Sequence, residues 1–178
     1  MLLTEIAALD EVLDAHAAAL AGDFRAYRNH TYRVANLCAA LSPDAPGRME
    51  KIALAAAFHD LGIWTDGTFD YLAPSVRLAR AHLARAGRSE WEDEITAMIS
   101  EHHKLSRARA EPGSLVEPFR RADWIDVTRG LRTFGLSRSL LREVFAAWPD
   151  AGFHWRLVRL GLRRLRTHPL SPLPMFRL

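Results

Sequence analysis

The sequence predicts an all-α fold, a single helical domain spanning residues 1–178, and three observations predict it. Apolar residues recur at helical spacing through most of the chain, and no segment alternates as a half-buried strand would. Proline, glycine and Ser/Asp residues punctuate those stripes where helix starts and stops belong. The apolar fraction of 49% and charged fraction of 25% are those of a globular protein long enough to bury a core.

Thr4 to about Leu20 reads as an amphipathic opening helix. Asp23 is placed to cap a second helix, which reaches Leu41 and is broken by Ser42-Pro43. A third begins near Pro46 and closes at Gly62, with small residues at 53, 55, 56 and 57 that let neighbours approach closely. Residues 63–73 read as a loop with an Asp-Gly turn at 66–67. Pro74 suits the first position of a fourth helix and Gly87 its stop. Ser89-Glu90-Trp91-Glu92 has capping-box spacing for a fifth helix running to about Lys104. After a polar loop at 106–113, a sixth runs from about Ser114 to Leu131. A seventh covers Ser137 to Trp148 and an eighth Asp150 to about Arg166. The last stretch, 137–178, thus holds two helices and a Pro-rich tail whose apolar end, Met175-Phe176, is expected to pack back on the domain or on a neighbouring subunit.

Composition narrows the function classes. No apolar run approaches the roughly 20 residues that span a bilayer. The opening MLLTEIAALDEV lacks a basic region, so no signal peptide is expected. One cysteine, Cys38, excludes an internal disulfide and suits a reducing, cytoplasmic setting. Of 24 basic residues only Lys51 and Lys104 are lysines, and the arginines are spread over several helices. The net charge of +3 therefore favours an anionic small substrate without requiring nucleic acid or membrane. The eighth helix interleaves Arg156, Arg159, Arg163, Arg164 and Arg166 with apolar residues, and reads as a packed helix with an arginine-rich outer face.

Several polar residues fall on the apolar stripes. His30 shares a face with Phe24, Tyr27, Thr31, Val34 and Cys38. His59 is framed by Ile52, Ala56 and Ile63, with Asp60 about 100° round the helix. Trp91, Ile95, Met98 and Ile99 lead to His102, and Val116, Phe119 and Val127 flank Asp123. His82 borders the Leu78 and Leu83 side. One such histidine alone reads more readily as a core residue bonded to a carbonyl. Four or five helices each aiming an imidazole or carboxylate inward need a shared partner, because buried polar groups require one. A divalent transition metal meets that need. Mixed nitrogen and oxygen donors suit iron, manganese, cobalt, nickel or zinc better than magnesium.

His30, the doublet His59-Asp60 in FHDLG, and Asp123 in RADWID form an ordered set that resembles the signature of the HD-domain superfamily of metal-dependent phosphohydrolases. The resemblance covers about 25–130. It implies that these four residues bind one metal ion. In some branches two further histidines bind a second ion bridged by the doublet's Asp; here His82, then His102 or His103, stand at similar positions. The stripe favours His102 as the inward ligand and leaves His103 at the rim. The Gly-Tyr-Pro motif of the cyclic-dinucleotide phosphodiesterase branch is absent after Glu101-His102-His103-Lys104. The implied substrate is a small phosphate ester, a nucleotide included, cleaved by water that the metal activates. Arg33, Lys104 and Arg129 are candidate cations for the developing charge, and Asp126 is placed to orient a ligand histidine or to face water. His16, His154 and His168 are left as structural or surface residues. Two other readings stay open: a di-iron oxygenase of the same fold, and a metal-stabilised nucleotide-binding regulatory domain. A homo-oligomer is compatible with the sequence.

Overall fold

The fold was obtained as a computed structural model, which describes residues 2–108, 110–171, 174 and 175. Among these there is no strand; the chain runs α1 (Ala7–Ala15), α2 (Ala17–Leu20), α3 (Phe24–Leu41), α4 (Arg48–Phe58), α5 (Gly62–Thr65), α6 (Leu72–Ala86), α7 (Glu92–Glu101), α8 (Val116–Val127), α9 (Arg138–Ala147) and α10 (Phe153–Thr167). The α3–α8 pair forms the most extensive contact, and α4 packs against α1, α3, α6 and α7.

The sequence accounts for this arrangement. In α3 almost every residue from Ala26 to Cys38 is buried, so it serves as the axis around which the others gather. In α4, Ala53, Ala55, Ala56 and Ala57 are fully buried. Methyl side chains let four neighbours close on one helix without leaving voids.

Several helix ends differ from the sequence expectation. The opening helix breaks at His16, which follows α1 and whose Nδ1 lies 2.8 Å from the Val12 carbonyl. Asp23 makes no side-chain cap. Its carboxylate instead accepts from Trp64 Nε1 at 2.9 Å and pairs with Arg156 at 3.1 Å, tying α10 to the start of α3. The α4 helix stops at Phe58, and a turn carries His59, Asp60 and Leu61 into α5, so Ile63, Trp64 and Thr65 are helical rather than loop. Pro74 is the third residue of α6, not the first. Gly87 does end α6, at φ +65, with Arg88 N–H bonded to the Leu83 carbonyl. Ser89 opens a 3₁₀ turn, Ser89–Trp91, with no side-chain cap. Ser137 is a working N-cap, accepting from Leu140 N–H at 3.2 Å.

The C-terminal region closes the near side of the molecule. Phe153 is fully buried. Met175 packs with Ile63, Phe69, Tyr71 and Leu72, and Leu157 and Leu160 lie against that cluster; Phe176 lies outside the described residues. The outer face of α10 is not purely cationic, since Val158, Leu162 and Leu165 are also exposed. No helix among the described residues is long and apolar enough to cross a membrane.

Candidate metal centre

Four segments deliver polar side chains to one point in the core. His30 comes from the middle of α3, His59 and Asp60 from the α4–α5 turn, His102 and His103 from the end of α7, and Asp123 from α8. Tyr27, one turn before His30, clamps the turn to α3. Its hydroxyl donates to the Ala57 carbonyl at 2.9 Å and accepts from Asp60 N–H at 3.3 Å. Gly62 lets the turn seat itself. A Cβ there would lie 2.6 Å from the Tyr71 carbonyl and 2.8 Å from Pro74 Cβ. The space goes instead to a bond of 3.0 Å from Gly62 N–H to Ser75 Oγ.

The outer edge of each ring is fixed. His30 Nδ1 lies 2.6 Å from Asp126 Oδ2, His59 Nδ1 2.8 Å from the Ala56 carbonyl, and His102 Nδ1 2.6 Å from the Ile99 carbonyl. Carboxylates and carbonyls only accept, so each Nδ1 carries the proton and donates. Each Nε2 of a neutral ring is then a bare lone pair turned inward. Yet His30 Nε2 and His59 Nε2 stand 2.8 Å apart. Around them, Asp60 Oδ2 is 3.7 Å from His30 Nε2 and 3.5 Å from His59 Nε2, and Asp123 Oδ1 is 3.8 Å from both. His102 Nε2 lies 3.4 Å from Asp60 Oδ1 and His103 Nδ1 3.4 Å from Asp123 Oδ2.

Electrostatics sharpen the picture. Burial outweighs the pull of Asp60 and holds the His59 imidazole down at about 3; burial likewise lowers His30 despite Asp126. Burial opposes ionisation of Asp60, but His59, His102 and His30 overcome it and keep that carboxyl low. Asp123 goes the other way, pushed up by burial and by the charge of Asp60. His102 sits above its ordinary value because Asp60 and Asp123 outweigh burial. Asp60 Oδ1, both Asp123 oxygens and His102 Nε2 are buried with no hydrogen-bond partner. Lone pairs facing lone pairs, and carboxylate oxygens without donors, are what a divalent cation satisfies. Two groups, His30–His59–Asp60 and Asp60–His102–His103, each place one donor atom per residue within 4.8 Å, as holding a metal ion requires. The donors fit iron, manganese, cobalt, nickel or zinc.

The model of the HD domain family matches residues 27–128, more than half of the chain. This chain belongs to the HD-domain family. No curated protein and no solved structure matches it.

Not every residue expected at the HD site is there. His82 is not brought to the cluster. It sits half-buried on α6 with its ring 5.3 Å from that of Phe58, and the charges that act on it are those of Arg85, Glu11 and His16. The histidines that the fold brings beside Asp60, in addition to His30 and His59, are His102 and His103. His102 is fully enclosed and His103 lies at the rim, 8% exposed.

None of the three cations expected to meet substrate reaches the cluster. Arg33 is fully buried behind His30, where Nε bonds Asp126 Oδ1, Nη2 bonds Oδ2 at 3.0 Å and Nη1 donates to the Trp148 carbonyl at 2.9 Å. It positions Asp126, whose carboxyl it and His30 hold low against burial. Lys104 turns to Glu101 at 2.7 Å, while its carbonyl accepts from Arg120 and Trp124. Arg129 is exposed and 3.8 Å from Asp150. The guanidinium and ammonium groups find carboxylates nearer than the site, and a buried charge without one is costly.

Three further residues matter. The Tyr71 hydroxyl is 2.6 Å from His103 Nε2. Phe153 stacks on His30 with centroids 3.9 Å apart. His154 Nε2 lies 3.0 Å from the Asp126 carbonyl. Tyr27 and Phe153 follow helical spacing and were findable; Tyr71 sits just ahead of α6 in a segment with no periodicity.

Proposed function

We propose that this HD domain is a metal-dependent phosphohydrolase that cleaves a small phosphate ester. The carrying observation is the 2.8 Å approach of two inward lone pairs, His30 Nε2 and His59 Nε2, beside the donor-less oxygens of Asp60 and Asp123. His30, His59, Asp60 and Asp123 would hold one ion, and His102 and His103 with Asp60 would hold a second. Bound there, divalent metal supplies Lewis acidity towards phosphoryl oxygens and lowers the pKa of water from about 15.7 towards 7.

The chain's own groups do the rest. Asp126, Ala56 and Ile99 fix the tautomer and direction of three imidazoles before substrate arrives, which avoids reorganisation during reaction. The enclosing helices exclude bulk water, since the cluster apart from His103 is almost entirely covered. In hydrolysis the oxygen of water bonds phosphorus, the ester P–O bond breaks, and its electron pair leaves with the alcohol oxygen, which takes up a proton. The proton is one that the attacking water gives up, and the Tyr71 hydroxyl, 2.6 Å from His103 Nε2, fixes the direction of the His103 ring at the rim.

The test is metal analysis of protein purified without chelators, with phosphate release and oxygen uptake measured side by side. Two ions per chain are expected, with release of phosphate lowered about 10²-fold or more in Asp60→Ala. The nitrogen-rich set, four imidazoles to two carboxylates, is what favours the second reading, a di-iron oxygenase. Oxygen uptake without phosphate release would select it. A chain that takes up no metal would refute both.

A further inference from the structure

We infer that the ester cleaved at this centre carries a small uncharged apolar group, such as an aryl or branched alkyl alcohol, rather than a nucleoside. This deepens the phosphohydrolase reading and rests on it. His30, His59 and His102 are sealed from outside, and Asp60 and Asp123 nearly so; His103 is the cluster member that reaches the surface. On that side His103 is also a wall of a cavity of about 480 Å³, a size within the usual range for small-molecule sites. Substrate entering there presents its phosphoryl end to the cluster and leaves its other end in the cavity.

The walls decide what that other end is. They come from Phe69 and Tyr71 ahead of α6, from Leu157, Val158 and Leu162 on α10, and from Met175. Among the described residues no aspartate, glutamate, lysine or arginine contributes, and the Tyr71 hydroxyl lies 2.6 Å from His103 Nε2. A base or ribose buried there would exchange water for hydrocarbon, because the polar side-chain groups among the described walls are those of Tyr71 and His103, already 2.6 Å from each other. An apolar group loses nothing by the same move. The arrangement also accounts for the exposure of Val158, Leu162 and Leu165 on a helix otherwise rich in arginine. They wait for the substrate's apolar end.

The experiment uses the full chain loaded with Mn²⁺ and two non-hydrolysable probes, naphthylmethylphosphonate and methylphosphonate, titrated calorimetrically. The aryl probe is expected to bind about 10-fold or more tightly than the methyl one. That advantage should vanish in Val158→Asp, which places charge in the wall, and in Gly161→Leu, which fills the cavity while favouring the helix. Affinity for methylphosphonate and the melting temperature should hold in both. Equal affinities, or an aryl advantage that survives both changes, would overturn the inference. So would faster hydrolysis of a nucleoside monophosphate than of naphthyl phosphate. Aryl selectivity with no phosphate released from any ester would instead overturn the hydrolase reading and keep the apolar subsite. A change in sedimentation of Val158→Asp with ligand affinities intact would make the face a contact between chains and overturn the inference.

Discussion

His59 makes the metal-free fold sensitive to acid. Its imidazole is ordinary when unfolded, near 6.5, and held at about 3 when folded. Between those values the unfolded chain carries a proton that the folded chain lacks. Stability therefore falls as pH drops through that window, by up to about 1.4 kcal/mol per pH unit from this group, and is whole above it. Urea midpoints of chelated protein between pH 7 and 4 should show this slope, and His59→Gln should flatten it; an unaltered slope would absolve His59. Arg33 supports a second expectation. Arg33→Met strands Asp126 in the core and should cost about 3–5 kcal/mol in denaturant unfolding. Arg33→Lys keeps the charge but loses the fork, and should still lower metal affinity about 10–100-fold because His30 loses its brace. The residues of the cluster were legible in sequence because an imidazole on an apolar stripe is carried into the core, where it must meet a partner. His82 misled for a physical reason: a histidine at a stripe's edge can lay its ring on a neighbour such as Phe58 and keep its polar edge wet. Arg33 misled because sequence cannot say which way a buried cation turns, and Asp126 was nearer than any substrate.

At the scale of elements the turn between α4 and α5 carries the site. Gly62→Ala would drive a methyl into the Tyr71 carbonyl and Pro74. The expected loss is about 1–3 kcal/mol, with weakened metal binding, since Asp60 stands two residues away. Gly87→Ala is the control. It meets nothing within 4 Å, but its φ of +65 strains a side chain, so about 1 kcal/mol should be lost with metal affinity unchanged. Titration of metal into both variants, beside thermal melts, separates the two effects; equal metal affinities would show that Gly62 merely packs. Helices were readable from periodicity, but their ends were set by partners distant in sequence. Asp23 was free to cap by local rules, yet Trp64 and Arg156 claimed its carboxylate. The third helix ended four residues before Gly62 because the turn's bonds to Tyr27 and Ser75 outweigh one more helical turn.

For the whole molecule, a metal held by the cluster would stabilise the fold as well as serve the proposed reaction. A ligand present at a hundred times its dissociation constant stabilises the folded state by about 2.7 kcal/mol. Chelation should therefore lower the melting temperature by several degrees and re-addition restore it; a melt unmoved by proven metal loss would break the link between cluster and fold. The all-α class was legible because helical periodicity is local. The mutual placement of α3 and α8 was not, since it rests on pairs such as Arg33 with Asp126, 93 residues apart. That separation has a consequence in time. A ribosome adds about 5–20 residues per second, and His30 is 96 residues ahead of Asp126, its brace. The nascent chain thus displays His30, then His59 and Asp60, for seconds before α8 exists to complete the cage. A metal could therefore meet His30, His59 and Asp60 first, and the whole cage only after α8 has been made and has packed on α3.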